Sequence, residues 1–164
     1  MWLRRLSIGV VMLLLAGCAG FGQPRVFSTE AELLDRRGTP DRVWANDDGT
    51  RTLEYSTQPK GIRNWMYTVD ADGRVVAQFD ALTRENLRRV KVGMTVAEVE
   101  RLLGRHREIN RFRLSGEEVW NWNVENEWPD LLATRFNVHF VDGAVKRTSF
   151  TLVLPRNGGP DRFR

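Results

Sequence analysis

Apolar residues recur along the chain with two spacings, and the spacing changes in the same order twice. Val96, Val99, Leu102 and Leu103 fall at i, i+3, i+6 and i+7, one face of a helix. Thr95 and Glu98 make the T-x-x-E arrangement of a capping box, and Gly104 stands where the chain leaves such a helix. Thr29-Glu30-Ala31-Glu32-Leu33-Leu34 opens in the same way and reaches Gly38. A further short helix is expected over 83–89. After each main helix the period becomes two, which predicts strands over 41–46, 51–57, 64–70 and 74–80, then over 107–114, 117–124, 134–141 and 144–152. Asp47-Asp48-Gly49, Asp70-Ala71-Asp72-Gly73, Ser115-Gly116 and Asp142-Gly143 supply the turns between them.

The repetition is metric. Thr29 and Thr95, Glu32 and Glu98, Gly38 and Gly104, and Leu53 and Val119 are each 66 positions apart, while the hairpin glycines Gly73 and Gly143 are 70 apart. This is the signature of an internal duplication. The expected fold class is α+β: two tandem repeats, each of short helices packed on an antiparallel β-meander. The repeats are placed at 25–82 and 83–154, with a Gly/Pro/Arg-rich, disordered tail over 155–164.

The first residues follow another rule. Arg4 and Arg5 precede an apolar run from Leu6 to Leu15, too short to span a bilayer and suited to a secretion signal. The run ends in Leu15-Ala16-Gly17-Cys18, which resembles the lipobox of bacterial lipoproteins. That resemblance implies cleavage of residues 1–17, acyl chains on Cys18, and a lipid tether over 18–24. Several acyl chains, each contributing about 0.8 kcal/mol per buried CH₂, hold a protein on a membrane. Ala19 after the cysteine, by the sorting rule of Gram-negative lipoproteins, implies the outer membrane, with the protein facing the periplasm.

Composition narrows the chemistry. Of 164 residues, 41% are hydrophobic and 28% charged, as in an ordinary globular protein. A single cysteine excludes an internal disulfide, and the two histidines, His106 and His139, lack the spacing of a zinc site. The net charge of +4 is too small for nucleic-acid binding, and the basic group Arg84, Arg88, Arg89 and Lys91 reads as a solvated helix face. No G-x-S-x-G, P-loop or HExxH pattern is present, and the Asp-rich turns lack the remaining ligands of a calcium loop. Neither an enzyme nor a cofactor is expected. His139, between Val138 and Phe140, points to the polar face of its strand. Among Trp44, Trp65, Trp120, Trp122 and Trp128, the strand pattern assigns Trp65, Trp120 and Trp122 to cores. It leaves Trp128, beside Pro129, and Trp44, out of phase with Val43 and Ala45, as partner-binding candidates.

Lys91-Val92-Gly93-Met94-Thr95-Val96-Ala97-Glu98-Val99-Glu100-Arg101-Leu102-Leu103-Gly104 is similar to the G-M-T-x-x-[EQ]-V-x-x-L-[LF]-G signature of the SmpA/OmlA (BamE) domain family of outer-membrane lipoproteins. The duplication is similar to the tandem architecture of β-lactamase inhibitor protein. The first resemblance implies a non-catalytic accessory of the β-barrel assembly machinery, acting in envelope integrity through protein and lipid contacts. The duplication and the tryptophan count motivate the alternative, a binder or inhibitor of another periplasmic or wall-active protein through an aromatic sheet face. The chain departs from the family in carrying two copies, and in Gly104-Arg105-His106, where only the first copy keeps the G-x-P of Gly38-Thr39-Pro40.

Overall fold

The computed structural model describes residues 26–128 and 132–154. The signal segment, Cys18, its tether and the tail lie outside them. Helix α1 (Glu30–Arg37) precedes strands β1 (Arg42–Ala45), β2 (Arg51–Ser56), β3 (Asn64–Val69) and β4 (Val75–Asp80). Then come α2 (Arg84–Leu87), α3 (Val96–Leu103), β5 (Glu108–Phe112), β6 (Glu117–Val124), β7 (Ala133–Val141) and β8 (Ala144–Val153). The strands form two separate four-stranded antiparallel meanders, β1-β2-β3-β4 and β5-β6-β7-β8.

The helix ends follow from their sequence. Thr95 accepts from the Glu98 amide while the Glu98 carboxylate accepts from the Thr95 amide, a complete capping box. Thr29 accepts from the Glu32 amide, but Glu32 reaches the Ser28 amide instead of the cap. Both helices leave through a glycine at positive φ, Gly38 at 76° and Gly104 at 73°. In each repeat one aromatic side chain donates to that glycine's carbonyl: Tyr55 Oη to Gly38 at 2.8 Å, and Trp122 Nε1 to Gly104 at 3.1 Å.

Those two bonds reveal that the offset changes along the chain. Tyr55 and Trp122 are 67 apart, and the strand register agrees. Val43 faces Leu53 in the first sheet, whereas Ile109 faces Trp120 in the second, so Leu53 corresponds to Trp120 and not to Val119. One extra residue in the second copy, between the first two strands, corrects the count. Because side chains alternate across a strand, that single residue reverses which positions face the helix. Four more residues are inserted before β7, so that equivalent positions of β3 and β7, such as Tyr67 and Val138, are 71 apart, and the irregularity at Thr68/Val69 recurs at His139/Phe140.

Leu33 of α1 packs with Phe27, Leu53, Tyr55, Tyr67 and Val69 on one face of the first sheet. The Arg37 guanidinium lies 5.4 Å from the Tyr67 ring centre, in the place that Leu103 takes in the second repeat. Val99 and Leu103 of α3, with Leu82, Leu87 and Val90, pack on Trp120, Trp122, Val124, Phe136, Val138 and Phe140 of the second sheet.

The other face of α3 meets the first sheet, so that sheet is covered on both sides. Glu54, Asn64 and Met66 are buried there against the end of α3. Glu54 accepts from the Arg105 amide at 2.5 Å and from Trp44 Nε1 at 3.3 Å. Asn64 Nδ2 donates to the carbonyls of Leu103 at 2.7 Å and Arg105 at 2.9 Å. Arg42 pairs with Glu100 at 2.5 Å, and Arg101 binds the Ala45 carbonyl and Asn46. Trp44, one of the two partner-binding candidates, has its indole half-buried in this seam between Arg42 and Arg101.

Burial pushes the Glu54 carboxyl above its ordinary value of 4.5, against the opposing effect of its two hydrogen bonds and Arg42. A raised folded-state pKa means that Glu54 favours the folded state most at acidic pH, and that this contribution is lost as pH rises through the folded value. The thermal midpoint of Glu54→Gln should therefore gain on the wild type as pH rises above the ordinary carboxyl value of 4.5. Parallel midpoint curves across that range would show that the carboxyl is not perturbed.

Candidate functional site

Among the described residues no helix lies over the remaining sheet face, on β5–β8 away from α3. It carries Asn110 and Phe112 of β5, Glu117, Val119 and Asn121 of β6, Arg135, Asn137 and His139 of β7, and Arg147, Ser149 and Thr151 of β8, by the strand pairing. The aromatic rings Trp120, Trp122, Phe136 and Phe140 are on the opposite, buried side. The expected aromatic binding face is thus the core, and the other face is polar, its central residues Val119, Asn121, Asn137 and His139 buried and Phe112 at its corner 52% exposed. The strand pattern of Asn137-Val138-His139 and Ser149-Phe150-Thr151 carries this signal, but sequence reasoning named only His139.

The polar groups are held in fixed positions. Glu117 accepts from Arg147 at 3.1 Å and Lys146 at 3.5 Å, and lies 3.3 Å from His139 Nδ1. His139 Nε2 is 2.9 Å from Ser149 Oγ. With Nδ1–H given to the carboxylate, Nε2 is left to accept the serine proton. Burial lowers the His139 pKa, so the ring is neutral near pH 7; its bond to His139, then the two cations, lowers that of Glu117. Asn137 Nδ2 donates to Ser149 and Thr151 at 3.3 and 2.9 Å.

Glu117, His139 and Ser149 line up in the order of a hydrolytic triad, but their setting differs. Ser149 is opposite Asn137 on the edge strand β8, and its hydroxyl also accepts from Asn137 Nδ2. Arg147 and Lys146 already engage the carboxylate. Among the described residues no group of three His, Cys, Asp or Glu side chains is placed to hold a metal ion, and no helix is long and apolar enough to cross a membrane.

Trp128 is 61% exposed in the β6–β7 connection, next to Glu127, which pairs with Arg84 of α2. It and Trp44 belong to different repeats and do not form one site. The residues that carry the family resemblance are all structural. Gly93, at φ 91°, donates to the Val145 carbonyl; Thr95 and Glu98 cap α3; Leu103 is core; and Gly104 ends the helix.

No protein-family profile matches the chain, so the SmpA/OmlA resemblance rests on its motif alone, and no curated protein sequence matches it either. A solved structure from Streptococcus mutans, described as a candidate beta-lactamase inhibitor protein, is 12% identical to this chain. The likeness covers 76% of this chain and 82% of that one, with a TM-score of 0.33. At that score the two folds are only loosely alike.

Proposed function

We propose that this chain is a non-catalytic binding protein, anchored by acyl chains on Cys18 to the outer membrane of a Gram-negative bacterium and facing the periplasm. It takes a protein partner on the uncovered face of β5–β8. The observation that carries this reading is the asymmetry of the stack. Equivalent faces of the two sheets have different surroundings: that of the first is sealed by α3, and over that of the second, which is polar, no helix lies among the described residues. A tether holds such a face where its partner is.

The lipobox and the 91–104 resemblance favour a partner within the β-barrel assembly machinery; the alternative is another periplasmic or wall-active protein. Palmitate labelling and crosslinking in intact membranes test the reading together. Wild type is expected to take the label and Cys18→Ala to lose it. The crosslinked partner should be lost when Asn110→Arg and Thr151→Arg place bulky cations on the open face. Persistent label on Cys18→Ala would refute the anchor, and partner recovery indifferent to both arginines would refute the face. Barrel-assembly components among the crosslinked proteins would select the first partner class.

A further inference from the structure

Of the four edge strands, β8 is the one without protection. A strand at the edge of a sheet presents unpaired main-chain N–H and C=O groups, and proteins guard such strands with short length, charge or cover. β1 is four residues long and carries Arg42, β4 ends in Asp80, and β5 carries Glu108 and Arg111. β8 is ten residues long, and from Thr148 to Leu154 the chain runs through seven residues with no charge, Gly or Pro. Its outer side is covered at the start, where Val145 exchanges main-chain bonds of 2.8 Å with Gly93 and Met94. Beyond Val145 no main chain among the described residues pairs with that side.

The equivalent strand of the first repeat ends differently. The bridges Thr29–Arg74 and Thr95–Ala144 match, so β4 and β8 run 70 apart and Asp80 corresponds to Phe150. Asp80 is buried, accepts from Arg63 and from the Leu82 main-chain N–H, and turns the chain towards α2. β8 continues past that position. Phe150 and Leu152 lie on the α3 side of the sheet, opposite Phe136 and Thr134, and are 53% and 49% exposed. Beside them is a groove of about 490 Å³ between β8 and α2. Its floor is Leu87, Phe136 and Phe150, and its rim is Arg84, Arg88 and Lys91, with no acidic side chain among the described residues that line it. Arg84 pairs with Glu127, but the side chains of Arg88 and Lys91 have no ion pair or hydrogen bond among the described residues.

We infer that an extended, acidic segment of a partner protein adds to the outer edge of β8 as a further strand of the second sheet. Its main chain pairs with the free N–H and C=O groups between Thr148 and Val153, its apolar side chains seat on Phe150 and Leu152, and its carboxylates reach Arg88 and Lys91. Each other occupant meets only part of this surface. An anionic lipid would meet the cations and the apolar floor but leave the main-chain edge unpaired. A second copy of this chain, pairing β8 with β8, would line both sides of the shared groove with Arg88 and Lys91. The chain's own last residues carry Arg156, Arg162 and Arg164 against Asp161, the same sign as the rim. The site uses the edge and the α3 side of the sheet and needs nothing of the polar face.

Photo-crosslinking residues placed at Thr148 and Leu152 of the full chain in its own membrane test it, with the crosslinked positions read by mass spectrometry. Paired strands advance residue for residue, so two probes four positions apart should reach partner residues about four apart within one acidic segment. Crosslinks to lipid, to the chain's own tail, to a second copy or to scattered segments would overturn the added strand, as would no crosslink at all, and each of these leaves the polar face untouched as a binding face. The charges are tested by replacing Arg88→Glu and Lys91→Glu together. Both side chains are exposed, so the thermal midpoint should stay near that of wild type while the crosslink yield falls about tenfold. Arg88→Lys keeps the charge and should retain the partner. Leu152→Lys, with the probe at Thr148, puts on the edge the kind of charge that guards other edge strands and should lower the yield as far. A double-glutamate variant that crosslinks as well as wild type would overturn the acidic partner, and a Leu152→Lys chain that does so would overturn the edge.

Discussion

Gly104→Ala is expected to destabilise the protein far more than Gly38→Ala, although the two glycines end equivalent helices with nearly the same backbone angles. Both have positive φ with extended ψ, at 76° and −157° for Gly38 and 73° and −161° for Gly104, a region that a side chain penalises. That strain alone costs about 1–3 kcal/mol at either site. The surroundings separate them. A Cβ on Gly38 meets nothing within 4 Å. A Cβ on Gly104 lies 2.7 Å from Glu54 Oε1 and 2.7 Å from Met66 Cε. Both are side-chain tips, but both side chains are fully buried, and the Glu54 oxygen is the one that accepts from the Arg105 amide. Moving it breaks that bond, and leaving it overpacks the seam, which adds about 1–3 kcal/mol. The gap should read as roughly 2–4 °C in thermal midpoint per kcal/mol for a protein of this size. Equal losses at the two positions would mean that the repeats are not packed against each other at α3.

The contrast shows what the sequence makes legible. Helix caps are local, so T-x-x-E and the terminal glycines can be read at a fixed offset, and strands delimited by Gly and Asp turns fall within a residue or two of their observed bounds. What a sequence pattern alone misses is the face. Leu53 and Val119 match by count, yet one inserted residue makes Trp120 the packing equivalent of Leu53. Trp44 is out of phase with Val43 and Ala45, and the pattern does not show that α3 arrives from the other repeat to cover it. The G-M-T motif is legible for the same local reason as the caps, and for that reason it reports how α3 starts and not what the protein binds.

Asn64→Asp is expected to be the most disruptive conservative change in the molecule, and its damage should ease in acid. Asn64 is fully buried, and its amide nitrogen supplies donors to two carbonyls at the end of α3. A carboxylate of the same shape has no proton for either. It would face both carbonyl oxygens, with Asp80 close by, since the Asn64 main-chain N–H donates to Asp80 Oδ1 at 3.1 Å. An uncompensated buried charge costs about 3–5 kcal/mol. Desolvation and the neighbouring oxygens all disfavour the charged form, so the new group's pKa rises on folding. The sign of the pH effect follows: a carboxyl raised in the folded state is tolerated when protonated, and stability falls as pH climbs through its folded pKa. One proton restores one of the two lost donors, so acid should recover part of the loss and not all of it. Midpoints for wild type and variant should converge on acidification and separate towards neutral pH. A pH-independent difference would show that the loss comes from geometry alone, and a variant as stable as wild type at neutral pH would show that Asn64 does not hold the end of α3.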